Sequence, residues 1–164
     1  MSEHSNEERV RMFWDRLADL RAGMVGIKGT DRLVPMSHHV DHETGCLWFI
    51  AAHGEELTNA VETSPRDALF SVSSDKHGLY AHAHGTLELS HDKAKLDEVW
   101  NAVAASWFDD GRNDPDVRLL CLRLREAEVW TTTTSSAAFL FQIAKAKAVR
   151  EAKPDVGDNY TLRF

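Results

Sequence analysis

The chain has 164 residues, 43% hydrophobic and 27% charged, with 26 acidic against 19 basic side chains and a net charge of −7. That size and balance fit one soluble domain able to build its own core, and the acidic excess argues against nucleic acid, whose phosphates need a clustered basic surface. No apolar run approaches the ~20 residues of a membrane span, and the polar start Met1-Ser2-Glu3-His4 is unlike a signal peptide, so a cytoplasmic protein without membrane contact is expected.

Residues 6 to 21 place Val10, Phe13, Trp14, Leu17 and Leu20 at spacings of three and four, which predicts an amphipathic helix, with Gly23 as its stop. Met24 to Lys28, Arg32 to His39 and Cys46 to Ala52 follow as three strands. Gly54 to Val61 reads as a short helix ended by Thr63-Ser64-Pro65-Arg66. Asp67 to Ser74 and Leu79 to Leu89 are two further strands, joined by the hairpin connection Asp75-Lys76-His77-Gly78. Ser90 then starts a helix with Leu96, Val99, Trp100 and Val103 on one face. Asp109 to Pro115 is a turn-rich loop, and Val117 to Thr132 alternates as a long strand. Ser135 to Arg150 reads as a helix whose Lys145, Lys147 and Arg150 make a solvated basic face. The domain is assigned to residues 1–150, and residues 151–164, with Pro154 and Gly157, as a tail. Consecutive strands with short turns favour an antiparallel sheet. About six strands closing on themselves with helices outside, a mainly β architecture of the α+β kind, is the expected fold.

Candidate chemistry concentrates between Gly26 and Ala52. Arg32 precedes Pro35 and Met36, and Trp48-Phe49 follow on the next strand. A guanidinium fork beside aromatic and thioether surface suits a ligand with an anionic end and a flat apolar end. Pairing of Arg32 with Asp31 or Asp41 is the plain structural alternative. Trp48 and Phe49 point to opposite faces, one toward a cleft and the other into the barrel, whereas Ser71 and Ser73 share a face. Cys46 and Cys121 are isolated and read as buried free thiols. The pair His82 and His84 and the turn containing His38, His39 and His42 lack a full ligand set, so no metal site is expected. Neither a Gly-x-Ser-x-Gly elbow nor a phosphate-binding glycine loop is present.

Arg32-x-x-Pro35-Met36, Leu47-Trp48-Phe49, Tyr80 to Leu89 around Gly85, Trp107-Phe108-Asp109-Asp110-Gly111-Arg112-Asn113-Asp114-Pro115 and Ala127-Glu128-Val129-Trp130 occur in order. Together they resemble the general stress protein 26 group of the pyridoxamine 5′-phosphate oxidase-like, FMN-binding split-barrel proteins, over about residues 10 to 133. The resemblance implies a six-stranded antiparallel split barrel and a homodimer holding FMN in clefts between subunits. It also implies flavin contacts from Arg32 to the phosphate, from Pro35, Met36, Trp48, Phe49, Ala51, Ser71 and Ser73, and from Trp130 as a cleft wall. Trp107 matches a second family aromatic near the cleft. Two positions depart from the family pattern. Ala51 stands where a threonine is usual, and Glu55 and Glu56 stand where a lysine usually grips the phosphate. The implied activity is an FMN-dependent oxidoreductase acting on a small molecule, as distinct from a true pyridoxamine 5′-phosphate oxidase. The alternatives are a flavin-sequestering module without turnover and a split barrel that has lost FMN and binds another ligand.

Overall fold

A reciprocal cap opens the first helix: the Glu8 backbone N–H donates to the Ser5 hydroxyl, and the Ser5 N–H to the Glu8 carboxylate. The helix so started, α1 (Asn6–Ala18), buries Phe13, Trp14 and Leu17. The computed structural model describes residues 4–149 and 157–164. Gly23 does not end α1. It lies inside β1 (Ala22–Ile27), where the Phe70 ring occupies the space a side chain would need.

The stretch expected as one strand from Arg32 to His39 is divided. Arg32 lies in a turn, and β2 (Val34–Ser37) and β3 (His39–Asp41) are separated by His38. Then come β4 (Cys46–Ala52), α2 (Glu56–Val61), β5 (Arg66–Ser74) and β6 (Leu79–Ser90). The helix expected from Ser90 is also divided. Asp92 caps α3 (Lys93–Val99), Trp100 is extended, and the Asn101 side chain caps α4 (Ala102–Ala105). Ser90 itself ends β6, and Trp100 packs beside Phe108 at 6.0 Å. The long strand β7 (Val117–Thr132) leads to α5 (Ser136–Ala148) and β8 (Gly157–Arg163).

All strand pairs are antiparallel, in the order β2-β1-β5-β6-β7-β4-β3 with β8 also on β7. The two ends of that path, β2 and β3, are consecutive in the chain and linked by His38 alone, so the sheet curls back on itself. This is the split-barrel architecture, with eight strands among the described residues in place of six. One extra strand comes from the break at His38. The other is β8, in residues expected as a tail, which pairs with the half of β7 that β4 leaves free. Residues 151–156 of that tail, and Arg150 of the basic face, lie outside the described residues. The barrel interior is filled by Phe13, Leu47, Phe49, Phe70, Leu120, Leu122 and Leu162, each essentially inaccessible.

His38 is buried, its ring edge-on to Phe70 at 5.4 Å. Nε2 lies 2.9 Å from the Leu17 carbonyl, which only accepts, so Nε2 carries the proton, and Nδ1 finds no donor among the described residues. Burial holds this imidazole below its ordinary pKa, opposed in part by the Leu17 bond and aided by the nearby His39. The unfolded chain therefore takes up a proton near pH ~6.5 that the folded chain refuses, and stability falls as pH drops below about that value until the depressed folded pKa is reached. Urea midpoints compared at pH ~7.5 and pH ~5.5 are expected to fall more for the wild type than for His38→Gln. Equal falls would show that His38 does not carry this dependence.

Candidate functional site

Strand alternation divides the candidate residues between the two faces of the sheet. Met36 packs on the core from β2, and Phe49 and Ala51 are buried inside the barrel. The outer face has two halves. Over one half, α3 covers Cys46, Trp48, Leu119 and Cys121 through Val99 and Leu96. Both thiols are buried and free, and desolvation raises the pKa of Cys121.

Trp48, although outward-facing, is therefore enclosed. Its indole N–H donates to Asp41 at 3.4 Å, and the Lys95 ammonium lies 5.5 Å from the ring centroid. Lys95 bridges Glu98 at 2.9 Å and Asp41 at 3.1 Å, and these bonds hold its pKa above the ordinary lysine value. A cleft of about 260 Å³ beside Trp48 is lined by these groups with His38, His39 and Ala18.

The other half of the outer face is open. Register places Pro35, Met24, Ser71, His82, Glu128 and Thr161 in one row across β2, β1, β5, β6, β7 and β8. The next row contains Ser73, Tyr80, Trp130 and Asn159. Pro35, Ser71, Ser73 and Trp130 thus share one surface, with Met24 and Trp130 more than a third exposed. Trp48, Phe49, Met36 and Ala51 do not join them. Met24 and Tyr80 belong to this surface and were not singled out from sequence; cross-strand partnership with Pro35 and Trp130 places them there, which single-strand periodicity does not show.

At one end of the open face, β7 carries an extra residue, Arg125, opposite the His84–Gly85 step of β6. This bulge turns Arg125 outward, where it donates to Thr86 at 2.7 Å and to Asp67 at 3.1 Å. Nearby, the His82 and His84 rings meet edge to face at 4.8 Å, and Glu128 and Glu126 lie opposite them. Burial, then His82 and Lys28, lower the pKa of His84, with Glu126 opposing. Among the described residues, no three His, Cys, Asp or Glu side chains converge on a point that could hold a metal ion.

Arg32 stands in the turn between β1 and β2, its carbonyl oxygen filling the space left by Gly26. Its Nε donates to Glu56 at the start of α2 at 2.9 Å, and both side chains are about half exposed or more. The partner is neither Asp31 nor Asp41, the carboxylates considered from sequence.

The model of the family described as pyridoxamine 5′-phosphate oxidase like matches residues 8–155. The chain belongs to that family. This pyridoxamine 5′-phosphate oxidase-like chain is 47% identical to a protein assigned as general stress protein 26 from Jannaschia sp. CCS1, over 96% of this chain and 99% of that one, with a TM-score of 0.90. It is 28% identical to the general stress FMN/FAD binding protein of Xanthomonas citri, over 80% and 93% of the two chains, with a TM-score of 0.69. A protein related to general stress protein 26 from Clostridium acetobutylicum shares the fold at 14% identity, over 98% and 97%, with a TM-score of 0.66. Comparison with the curated proteins gives no match. Among the described residues, no helix is long and apolar enough to cross a membrane.

Proposed function

We propose that the chain binds a flavin, with the isoalloxazine ring against the open sheet face and a second copy of the chain closing the cleft. The observation that carries this reading is the open face itself. It presents an indole, a phenol, a thioether, a proline and two serine hydroxyls on one surface, next to a half already covered by α3. Flat aromatic ligands are held by such apolar walls with a few placed polar groups. Trp130 and Tyr80 supply stacking surface, Met24 and Pro35 apolar contact, and Ser71 and Ser73 donors or acceptors for the ring edge. The description of the Xanthomonas citri relative as an FMN/FAD binding protein agrees with this ligand class.

A second copy is invoked because the described residues of one chain offer one wall to this ligand. Helix α5 buries none of its residues and leaves Phe139, Leu140 and Phe141 exposed. A 13-residue helix is marginal in water without packing, so α5 is expected to pack in the dimer. A bound flavin supplies electron-transfer chemistry; the chain positions the ring and excludes water from it. The substrate and the physiological role are an oxidoreductase's if turnover accompanies binding, and a flavin-holding module's if it does not.

Titration of flavin fluorescence with the protein tests this reading. Saturable quenching is expected at micromolar protein, and Trp130→Ala is expected to weaken it about tenfold or more, by loss of stacking worth about 1–3 kcal/mol, with the urea midpoint unchanged. No saturable change for the wild type at micromolar concentration would overturn it.

A further inference from the structure

The ring fits the open face, but the phosphate of FMN does not fit the cation expected to hold it. Arg32 is already bonded to Glu56 at 2.9 Å. Asp31 precedes the arginine in the chain and Glu55 precedes the glutamate, so the two segments bring three acidic residues and one arginine. Helix α2 has only six residues, with Glu55 at its N-cap and Glu56 in its first turn, so its positive end is short and already faces carboxylates. A phosphate dianion entering here either displaces Glu56 from the Arg32 Nε or takes the Nη–H donors beside it, and in both cases lies against that carboxylate. A neutral polyol chain does neither, because its hydroxyls donate to Glu56 while Arg32 stays paired.

We infer that Glu56 is a specificity-determining residue that sets this site against a flavin ending in a phosphate monoester and favours one ending in a neutral polyol. The inference rests on the flavin reading above. The pair is exposed, so its own strength is small; the discrimination comes from uncompensated negative charge. Two unit charges ~4 Å apart weaken affinity about fivefold even in water, a phosphate dianion beside a carboxylate by more, and either by more again where water is displaced.

Dissociation constants for riboflavin and FMN, measured by flavin fluorescence on the wild type, Glu56→Gln and Glu56→Lys, provide the test. The wild type is expected to bind riboflavin at least as tightly as FMN, and its FMN affinity is expected to rise with added salt as the repulsion is screened. Glu56→Gln is expected to raise FMN affinity about tenfold and Glu56→Lys further, each leaving riboflavin within about threefold. FMN binding tenfold tighter than riboflavin in the wild type would overturn this inference and leave the flavin reading standing. Binding of neither flavin by the wild type would remove the flavin reading, and this inference with it.

Discussion

Deletion of residues 157–164 is expected to abolish cooperative unfolding of this protein at room temperature. These residues pair along the half of β7 that β4 does not reach, and they close the barrel with Tyr160 and Leu162, which are nearly inaccessible. Phe164 lies 5.6 Å from Phe13 and 5.2 Å from Trp14, and Asp158 accepts from Arg9 at 2.8 Å. The strand therefore also fastens α1 to the sheet. Leu162→Ala alone is expected to cost about 2–5 kcal/mol. Removing the whole strand exposes an edge of β7 as well, and the combined loss is comparable with the ~5–15 kcal/mol stability of an ordinary domain. Urea titration by circular dichroism checks both variants. A truncated chain with a midpoint close to that of the full chain would show β8 to be an accessory.

The second large effect is expected at Gly85. A side chain there meets backbone: a Cβ would lie 2.2 Å from the Arg123 carbonyl oxygen and 2.9 Å from its carbon. Backbone cannot rotate away as a side-chain tip can, so the β6–β7 ladder must separate at its bulge. Gly85→Ala is expected to cost at or above the upper end of the ~1–3 kcal/mol typical of overpacking. It should also release Arg125 from Asp67 and Thr86, since the bulge aims that side chain. Gly45→Ala is the control. Gly45 has φ +69° and open space around it, so only the left-handed backbone is penalised, by about 1–2 kcal/mol. Equal losses for the two variants would contradict the close-approach explanation.

Strand alternation made much of the barrel legible in the sequence, because a half-buried strand writes its two faces as period two. The division of Ser71 and Ser73 from Ala68, Phe70 and Val72 is such a case. The breaks were not legible. His38 interrupts a run with no glycine or proline next to the break, and its role as the corner between the sheet's two edges depends on Leu17 and Phe70 from distant elements. Asn101 resembles any polar residue on a helix until its side chain is seen capping Ala104. Tyr160, Leu162 and Phe164 do alternate, but Pro154 and Gly157 just upstream outweigh so short a pattern.

The candidate surface was legible in part. Sharing of a face along β5 follows from spacing, and the aromatic at 130 follows from motif order. Which half of the outer face α3 covers decides the fates of Trp48 and Trp130, and that is set by tertiary packing. The glutamates at 55 and 56 stood out as misplaced negative charge, but the bond from Arg32 to Glu56 required the turn and α2 to be seen together.

Sedimentation velocity in the presence of riboflavin, recorded at a protein wavelength and a flavin wavelength, tests the central claim most directly. One boundary at both wavelengths, at twice the 18.5 kDa chain mass, is the result expected of a flavin held between two copies. A protein boundary at the mass of one chain, with the flavin left unsedimented, would contradict it.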